Sequence, residues 1–271
     1  MVNDRAGRLR ADRVTLGYDR RTVSTDLSLD IPDDSFTVIV GPNACGKSTL
    51  LRSLARLLKP SAGQVVLDGE SIQRMPTKEV ARRVGLLPQT ALAPEGITVA
   101  DLVARGRYPH QNLFRQPSAA DRRAVADAMA STRVADLADV PVDELSGGQR
   151  QRVWVAMALA QQTGILLLDE PTTFLDIAHQ IELMDLFARL HHDGATLVAV
   201  LHDLNHAARY ATHLVVMKDG AVVAQGRPAE VVTAELVERV FGLPCLVVPD
   251  PLAGTPMVIP RGAAHPAADQ A

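Results

Sequence analysis

One string near the start of the chain, Gly41-Pro42-Asn43-Ala44-Cys45-Gly46-Lys47-Ser48-Thr49, restricts the fold more than any other feature. It satisfies the pattern G-x-x-x-x-G-K-[ST], and its flanks are those the pattern requires. Before it stands Phe36 to Val40, a continuous apolar run of buried-strand length; after it, a helical pattern runs from Lys47 to Leu58. A strand that breaks into such a loop and then enters a helix converges successive backbone N–H groups on one point and adds the positive end of the helix dipole. That arrangement suits a phosphate. Lys47 can neutralise charge on the β and γ groups of a nucleotide, and the Ser48 hydroxyl can hold Mg2+. A fortuitous glycine-rich turn would need neither the strand nor the helix.

The remaining pattern predicts an α/β chain. Short β-branched runs alternate with longer helical stretches, which implies βα units around a mainly parallel sheet. Leu9 to Leu16 and Val23 to Ile31 read as half-buried strands on either side of the polar turn Tyr18 to Arg21, an antiparallel β layer at the front. From about 90 to 145 strand signals give way to two helix starts with capping-box spacing, Thr98 with Asp101 and Ser118 with Asp121, which predicts an inserted helical lobe. Strand signals return at Ile165 to Leu168 and Thr196 to Leu201, and Lys218-Asp219-Gly220 is a hairpin turn between Val215 to Met217 and Val222 to Ala224. The expected organisation is one domain over residues 1–261, with a small, polar, disordered tail at 262–271.

Composition sets the surroundings. With 28 Lys+Arg against 31 Asp+Glu the formal charge is −3, so the chain has no global basic field and no nucleic-acid partner is expected. The 18 Gly and 17 Pro fall well short of a low-complexity share, and 47% hydrophobic residues can form a sizeable core. Two cysteines, Cys45 and Cys245, stand far apart in a chain too large to need stapling, which fits a reducing, cytoplasmic compartment. The charged N-terminal residues carry no apolar core of a secretory signal. No apolar run approaches the ~18 residues that cross a bilayer, so any membrane role is expected to come through a partner.

A second string, Leu145-Ser146-Gly147-Gly148-Gln149-Arg150-Gln151, opens a helical pattern that runs to about Gln161. Ser146 and Gln149 stand in capping-box spacing, as at an ordinary helix start. Two glycines in a first helical turn cost about 1 kcal/mol each relative to alanine, which suits a backbone that something such as a γ-phosphate must approach. The string resembles the signature sequence of ABC-type ATPases, and the resemblance extends over roughly residues 8 to 260.

That resemblance implies a P-loop ATPase fold and a set of roles. Ile165-Leu166-Leu167-Leu168-Asp169-Glu170 looks like a Walker B strand, with Asp169 serving Mg2+ and Glu170 polarising the attacking water. Gln89 matches the glutamine that reaches Mg2+ and the water. His202 matches the switch histidine at the γ-phosphate, and Tyr18 the aromatic residue that stacks on adenine. Catalysis would then rest on Lys47, Gln89, Glu170 and His202. The nucleotide would be bound by Tyr18, by Gly41 through Thr49, and by Ser146, Gly147, Gly148, Gln149 and Asp176; Mg2+ would be held by Ser48, Gln89 and Asp169. Two strings depart from the commoner pattern: Thr173-Phe174 precedes Leu175-Asp176 in place of Ser-Ala, and Ala44 and Cys45 replace Gly and Ser in the loop. His191, His192 and His213 are read as surface. In this family two chains pack head to tail, so that one chain's loop and the other's signature share each ATP, and a second such chain is an expected partner.

A single cassette without a membrane span resembles the separate ATPase subunit of a bacterial importer. Gly106-Arg107-Tyr108-Pro109-His110, together with Pro171 to Ile177 and Leu201 to Asn205, is similar to the ATPases of ferric-siderophore and ferric-enterobactin importers; vitamin B12 and haem importers are near relatives. Arg107 to His110 also reads as an ordinary Pro-broken helix end. The resemblance implies integral permease subunits as partners, facing residues from Gln89 to about Phe114, and indirectly a periplasmic or lipid-anchored chelate-binding protein. It places the chain at the cytoplasmic face of the inner membrane. A soluble ABC protein of DNA repair or translation would carry two cassettes or long coiled coils, and a P-loop kinase or GTPase has no use for the signature string. The chelate itself is not legible, because the ATPase does not touch it.

Overall fold

A computed structural model describes residues 7–19, 21–89, 92–111, 116–173 and 175–262. The Phe174 departure, the lobe residues around Phe114 and the tail beyond Gly262 lie outside the described residues.

The front layer follows from its burial alternation. β1 (Leu9–Tyr18) and β2 (Arg21–Ile31) pair antiparallel, Leu9 opposite Ile31 and Tyr18 opposite Arg21. Val14, Leu16, Leu27 and Leu29 are buried between open neighbours, the pattern of a sheet with one wet face. In β3 (Phe36–Val40) all five residues are buried, because that strand is covered on both faces. The chain continues through α1 (Lys47–Leu54), β4 (Ala62–Leu67), β5 (Glu70–Ser71), α2 (Thr77–Arg83) and β6 (Val84–Leu87).

The lobe follows: α3 (Val99–Ala104) running into a 3-10 turn at Arg105–His110, then α4 (Ala119–Ser131) and α5 (Gly147–Ala160). Beyond it come β7 (Ile165–Asp169), α6 (Ile177–His192), β8 (Thr196–Val200), α7 (Leu204–Tyr210) and the hairpin of β9 (His213–Lys218) and β10 (Ala221–Gly226). Two short helices, α8 (Pro228–Val231) and α9 (Ala234–Phe241), lead to a last hairpin, β11 (Cys245–Pro249) with β12 (Pro256–Pro260).

Among the described residues the front sheet has the order β2-β1-β4-β5 and the core sheet β10-β9-β3-β8-β7-β6. Every pairing in the core sheet is parallel except that of β10 with β9. α1 lies between the two sheets, with Leu50, Leu51 and Leu54 buried against Leu16, Val65, Ile39 and Leu167. Each such leucine contributes about 1.5–3 kcal/mol of burial, so Leu50→Ala would loosen the helix that carries the phosphate loop by about 2–5 kcal/mol. No helix among the described residues is long and apolar enough to cross a membrane.

The chain departs from expectation in three places. α1 stops at Leu54 rather than Leu58: Arg56 adopts φ 62°, its N–H bonds Ser53 O at 2.9 Å, and Leu57 N–H bonds Arg52 O at 2.8 Å. That is a Schellman ending in which arginine stands where glycine usually signals the stop. Ser118 and Asp121 form the reciprocal capping box, whereas Thr98 only accepts the Asp101 N–H and sits in an antiparallel bridge to Pro141. His192 is exposed, but His191 and His213 are half-buried. His213 opens β9 beside Thr37 of the central β3, where burial lowers its pKa, and the His191 ring lies tilted against Phe36.

The lobe is also larger than its expected span, since α5 packs on α3 and α4. Its internal tie is Arg107, 5% exposed. Arg107 Nε donates to Asp121 Oδ1 at 2.9 Å, and Nη1 donates to Ala160 O at 2.7 Å and Gln162 Oε1 at 2.9 Å. One side chain thus joins the start of α4 to the end of α5. His110 Nε2 lies 2.8 Å from Gln161 O, and in the string Arg107 to His110 it is Tyr108 that stands out into solvent. The Ser118 hydroxyl and the Arg107 guanidinium hold the Asp121 carboxyl down at about 2.

Candidate functional site

The phosphate loop leaves β3 and closes at Gly46, the N-cap of α1. Two glycines are required by contact. A Cβ on Gly41 would lie 2.2 Å from Met217 O, and one on Gly46 would lie 3.0 Å from Val23 Cγ1 at φ 105°. Ala44 holds φ 61°, a left-handed conformation strained for alanine by roughly 1–2 kcal/mol, which explains why glycine is commoner there. The Cys45 thiol is buried and its pKa is pushed up by that burial, so it serves as a small apolar side chain.

Lys47 is 5% exposed, and its Nζ donates to Gly41 O at 2.8 Å and Pro42 O at 2.9 Å. The ammonium is therefore held inside the loop by the loop's own carbonyls. One residue on, Ser48 Oγ donates to Asp169 Oδ1 at 2.7 Å, and Arg52 Nε stands 3.8 Å from Oδ2 of the same carboxylate. Asp169 ends β7 at 2% exposure; burial raises its pKa, opposed by the Ser48 hydrogen bond and the Arg52 charge.

Glu170 follows with φ 52°, a left-handed backbone at a residue that is not glycine. Its two oxygens are both engaged. Oε1 lies 2.6 Å from His202 Nε2, and Oε2 accepts Gln89 Nε2 at 2.6 Å and Thr173 Oγ1 at 3.3 Å. Gln89, Glu170 and His202 follow β6, β7 and β8, which are neighbours in the parallel sheet. Sheet order thus gathers three distant residues at the carboxyl ends of the strands, where open α/β sheets place ligands.

Glu170 and His202 border an open cleft lined also by Tyr18, Asn43, Lys47 and Ser48, whereas Gln89 and Asp169 do not line it and adjoin it through their bonds to Glu170 and Ser48. Tyr18 is 43% exposed at the rim, and its hydroxyl accepts Arg52 Nη1 at 3.4 Å. Ser48 and Asp169 present two hard oxygens in contact, the donor type Mg2+ takes. No cluster of three His, Cys, Asp or Glu ligands occurs among the described residues, and Mg2+ held by one or two side chains plus phosphates needs none.

Five residues of the expected set are elsewhere. Ser146, Gly147, Gly148, Gln149 and Asp176 do not line that cleft. Ser146 caps α5 in a full box: Gln149 N–H donates to its Oγ at 3.3 Å, and Gln149 Oε1 accepts the Ser146 N–H at 3.0 Å. A Cβ on Gly147 would meet nothing within 4 Å, while one on Gly148 would touch the His179 ring at 3.5 Å. The helix start is open to an approaching group. Asp176 caps α6 through the His179 N–H at 2.9 Å, and His179 Nδ1 lies 2.8 Å from the same oxygen.

Three contributors escaped the sequence reading. Arg52 stands four residues after Ser48 and therefore on the same helix face, and His179 stands three after a capping aspartate; both spacings could have singled them out. Thr173 had no sequence signal.

The family profile described as ABC transporter matches residues 24–173. The chain is 57% identical over 266 residues to the ferric enterobactin transport ATP-binding protein FepC of Escherichia coli (strain K12), covering 98% of each. Among solved structures it resembles an inward-facing ABC transporter described as of the metal-chelate type, with TM-score 0.81, 26% identity and coverage of 94% of this chain and 98% of that one. It also resembles a bacterial ABC transporter cassette solved as a dimer, with TM-score 0.72, 27% identity and coverage of 81% and 98%.

Proposed function

The chain belongs to the ABC transporter family, and we propose that it is the ATP-hydrolysing subunit of a bacterial importer that energises uptake of a ferric siderophore or related iron chelate across the inner membrane. The observation that carries the hydrolytic role is the convergence on Glu170, whose two oxygens meet His202 and Gln89 at the edge of the cleft containing Lys47 and Ser48. The cargo rests on the likeness to the ferric enterobactin subunit across nearly the whole of both chains.

In this reading Tyr18 stacks on the adenine, and the backbone N–H groups from Gly41 to Thr49 bind the phosphates. Lys47 neutralises the β and γ charge. Ser48, Asp169 and Gln89 are the residues that would hold Mg2+, which when bound supplies further neutralisation of phosphate oxygens. Glu170 takes a proton from the water that attacks the γ-phosphorus as the bond to the β–γ bridging oxygen breaks, leaving ADP and phosphate. His202 holds Glu170 from one side and faces the γ-phosphate from the other. The residues act chiefly by positioning and by neutralising charge.

Ser146 to Gln149 and Asp176 lie outside the cleft of their own chain, which supports a head-to-tail arrangement with a second ATPase chain. Each signature then completes the partner's site. Permease subunits would seat on the lobe between Gln89 and Phe114, holding the chain at the cytoplasmic face of the membrane, and a chelate-binding protein would act on the far side.

A deletion strain tests the proposal. It should lose growth on a ferric siderophore as sole iron source and regain it with the wild-type chain but not with Glu170→Gln. Normal iron uptake with a defect in vitamin B12 or haem use would reassign the cargo.

A further inference from the structure

His202 stands between two supports of unequal strength. Before it, Leu201 is buried and its N–H donates to Ile39 O at 3.2 Å, so the chain leaves β8 from a fixed point. After it, a single residue, Asp203, leads into α7, accepting the His206 N–H at 2.8 Å. α7 has seven residues, too few for a helix to be stable by itself. The residues it buries fully are Ala207 and Ala208, small side chains that remove little apolar area from water, while Leu204 and Tyr210 pack partly on the core and the Tyr210 hydroxyl donates to Asp185 Oδ1 of α6 at 2.8 Å.

Two more polar ties hold α7 from the hairpin side. Asn205 and Arg209 are four apart, hence on one face of the helix, and both reach the last hairpin. Asn205 Nδ2 donates to Val258 O at 3.2 Å, and its Oδ1 accepts the Val258 N–H at 2.7 Å. One planar amide thus stands in for a strand neighbour beside β12. Arg209 donates from Nε to Asp250 Oδ2 at 3.1 Å and from Nη2 to the same oxygen. Asp250 Oδ1 in turn accepts the N–H groups of Leu252 at 2.8 Å and Ala253 at 3.2 Å, so the carboxylate that grips α7 also shapes the turn between β11 and β12.

We propose, on the ATPase reading above, that the C-terminal hairpin β11–β12 is a positioning element for hydrolysis: through Asn205 and Arg209 it holds the short helix that aims His202 at Glu170. Neither residue touches the nucleotide cleft, and each acts through the histidine. Only a side chain with donor and acceptor on one amide can satisfy both main-chain groups of Val258 at that length.

The test uses the full chain carrying Asn205→Ala or Arg209→Ala, with Leu252→Ser at the exposed hairpin tip as control. Two quantities are read: ATPase kinetics, and the His202 ring-proton NMR signal without nucleotide. Each alanine variant should lower kcat about tenfold while KM for ATP moves less than about twofold, since the loss lies in the hydrolytic step rather than in binding. The His202 signal should shift and broaden in both, and Leu252→Ser should change neither quantity. Arg209→Lys should recover part of the loss, because an ammonium can still meet one carboxylate oxygen. If Asn205→Ala does not fold, Arg209→Lys carries both readouts. Wild-type kcat in the alanine variants, or a lowered kcat with an unmoved His202 signal, overturns the proposal. A wild-type chain that hydrolyses no ATP overturns the ATPase reading instead, and the His202 signal then still decides the role of the hairpin.

Discussion

His202 Nε2 lies 2.6 Å from Glu170 Oε1, although 31 residues of helix, loop and strand separate the two in the chain. With Gln89 Nε2 at the same distance from Oε2, the carboxylate is held from both sides by donors. A carboxylate gripped on both oxygens has one fixed direction, the arrangement the proposed hydrolytic role requires.

Glu170→Gln replaces an acceptor by a group with one donor end. That end must then face Gln89 or His202, both of which present nitrogen, so one contact is lost along with the base. Hydrolysis should slow by about 10²–10⁴, the usual worth of a general base, while ATP still binds. Size-exclusion chromatography with ATP and Mg2+ should show a stable dimer; monomer alone, or near-normal turnover, would count against the role of Glu170.

Lys47→Ala leaves Gly41 O and Pro42 O without their ammonium partner and the nucleotide's β and γ charge without neutralisation. ATP affinity should fall about 10- to 100-fold, the range for a charged hydrogen bond. Titration with a fluorescent ATP analogue measures it. Unchanged affinity would remove the phosphate-loop assignment.

Ser146→Arg should leave ATP bound at Lys47 of the same chain, because Ser146 does not line that cleft. The bulky cation would instead obstruct the partner's site and also remove the cap on the Gln149 N–H, which costs about 0.5–2 kcal/mol of helix stability. Mixed with Lys47→Ala chains, it should restore at most one working site per dimer. Full ATPase activity of Ser146→Arg alone would refute a signature that works in trans.

The lobe tie at Asp121 predicts a pH dependence. Its folded pKa of about 2 lies below the ordinary aspartate value of 3.8, so the stabilisation, about 2 kcal/mol, is complete above the unfolded pKa and disappears as pH falls through the folded one. Asp121→Asn should destabilise the chain by about that amount at pH 6. Urea denaturation should show the gap between wild type and variant narrowing from about pH 4 downward. A gap that stays constant to pH 3 would mean that the carboxylate's charge is not what stabilises the lobe.

Local chemistry determined much of this protein by itself. A strand of five buried residues, a loop that admits no side chain at Gly41 or Gly46 and the helix after it are legible because each depends on near neighbours in the chain. The reciprocal cap of Ser146 with Gln149 is legible for the same reason, as is the two-residue hairpin turn at Asp219 and Gly220. Where local signs failed, the cause was tertiary or unusual: α1 stops at Leu54 through a left-handed Arg56 instead of a glycine, and Arg107, in a string that reads as a Pro-broken helix end, turns inward to tie α4 to α5. The meeting of Gln89, Glu170 and His202 depends on the strand order β8-β7-β6, and the clamp of Asn205 on Val258 on how the last hairpin folds back. Such contacts between distant residues arise only when buried strands choose their neighbours, a choice that side-chain periodicity along one strand does not record.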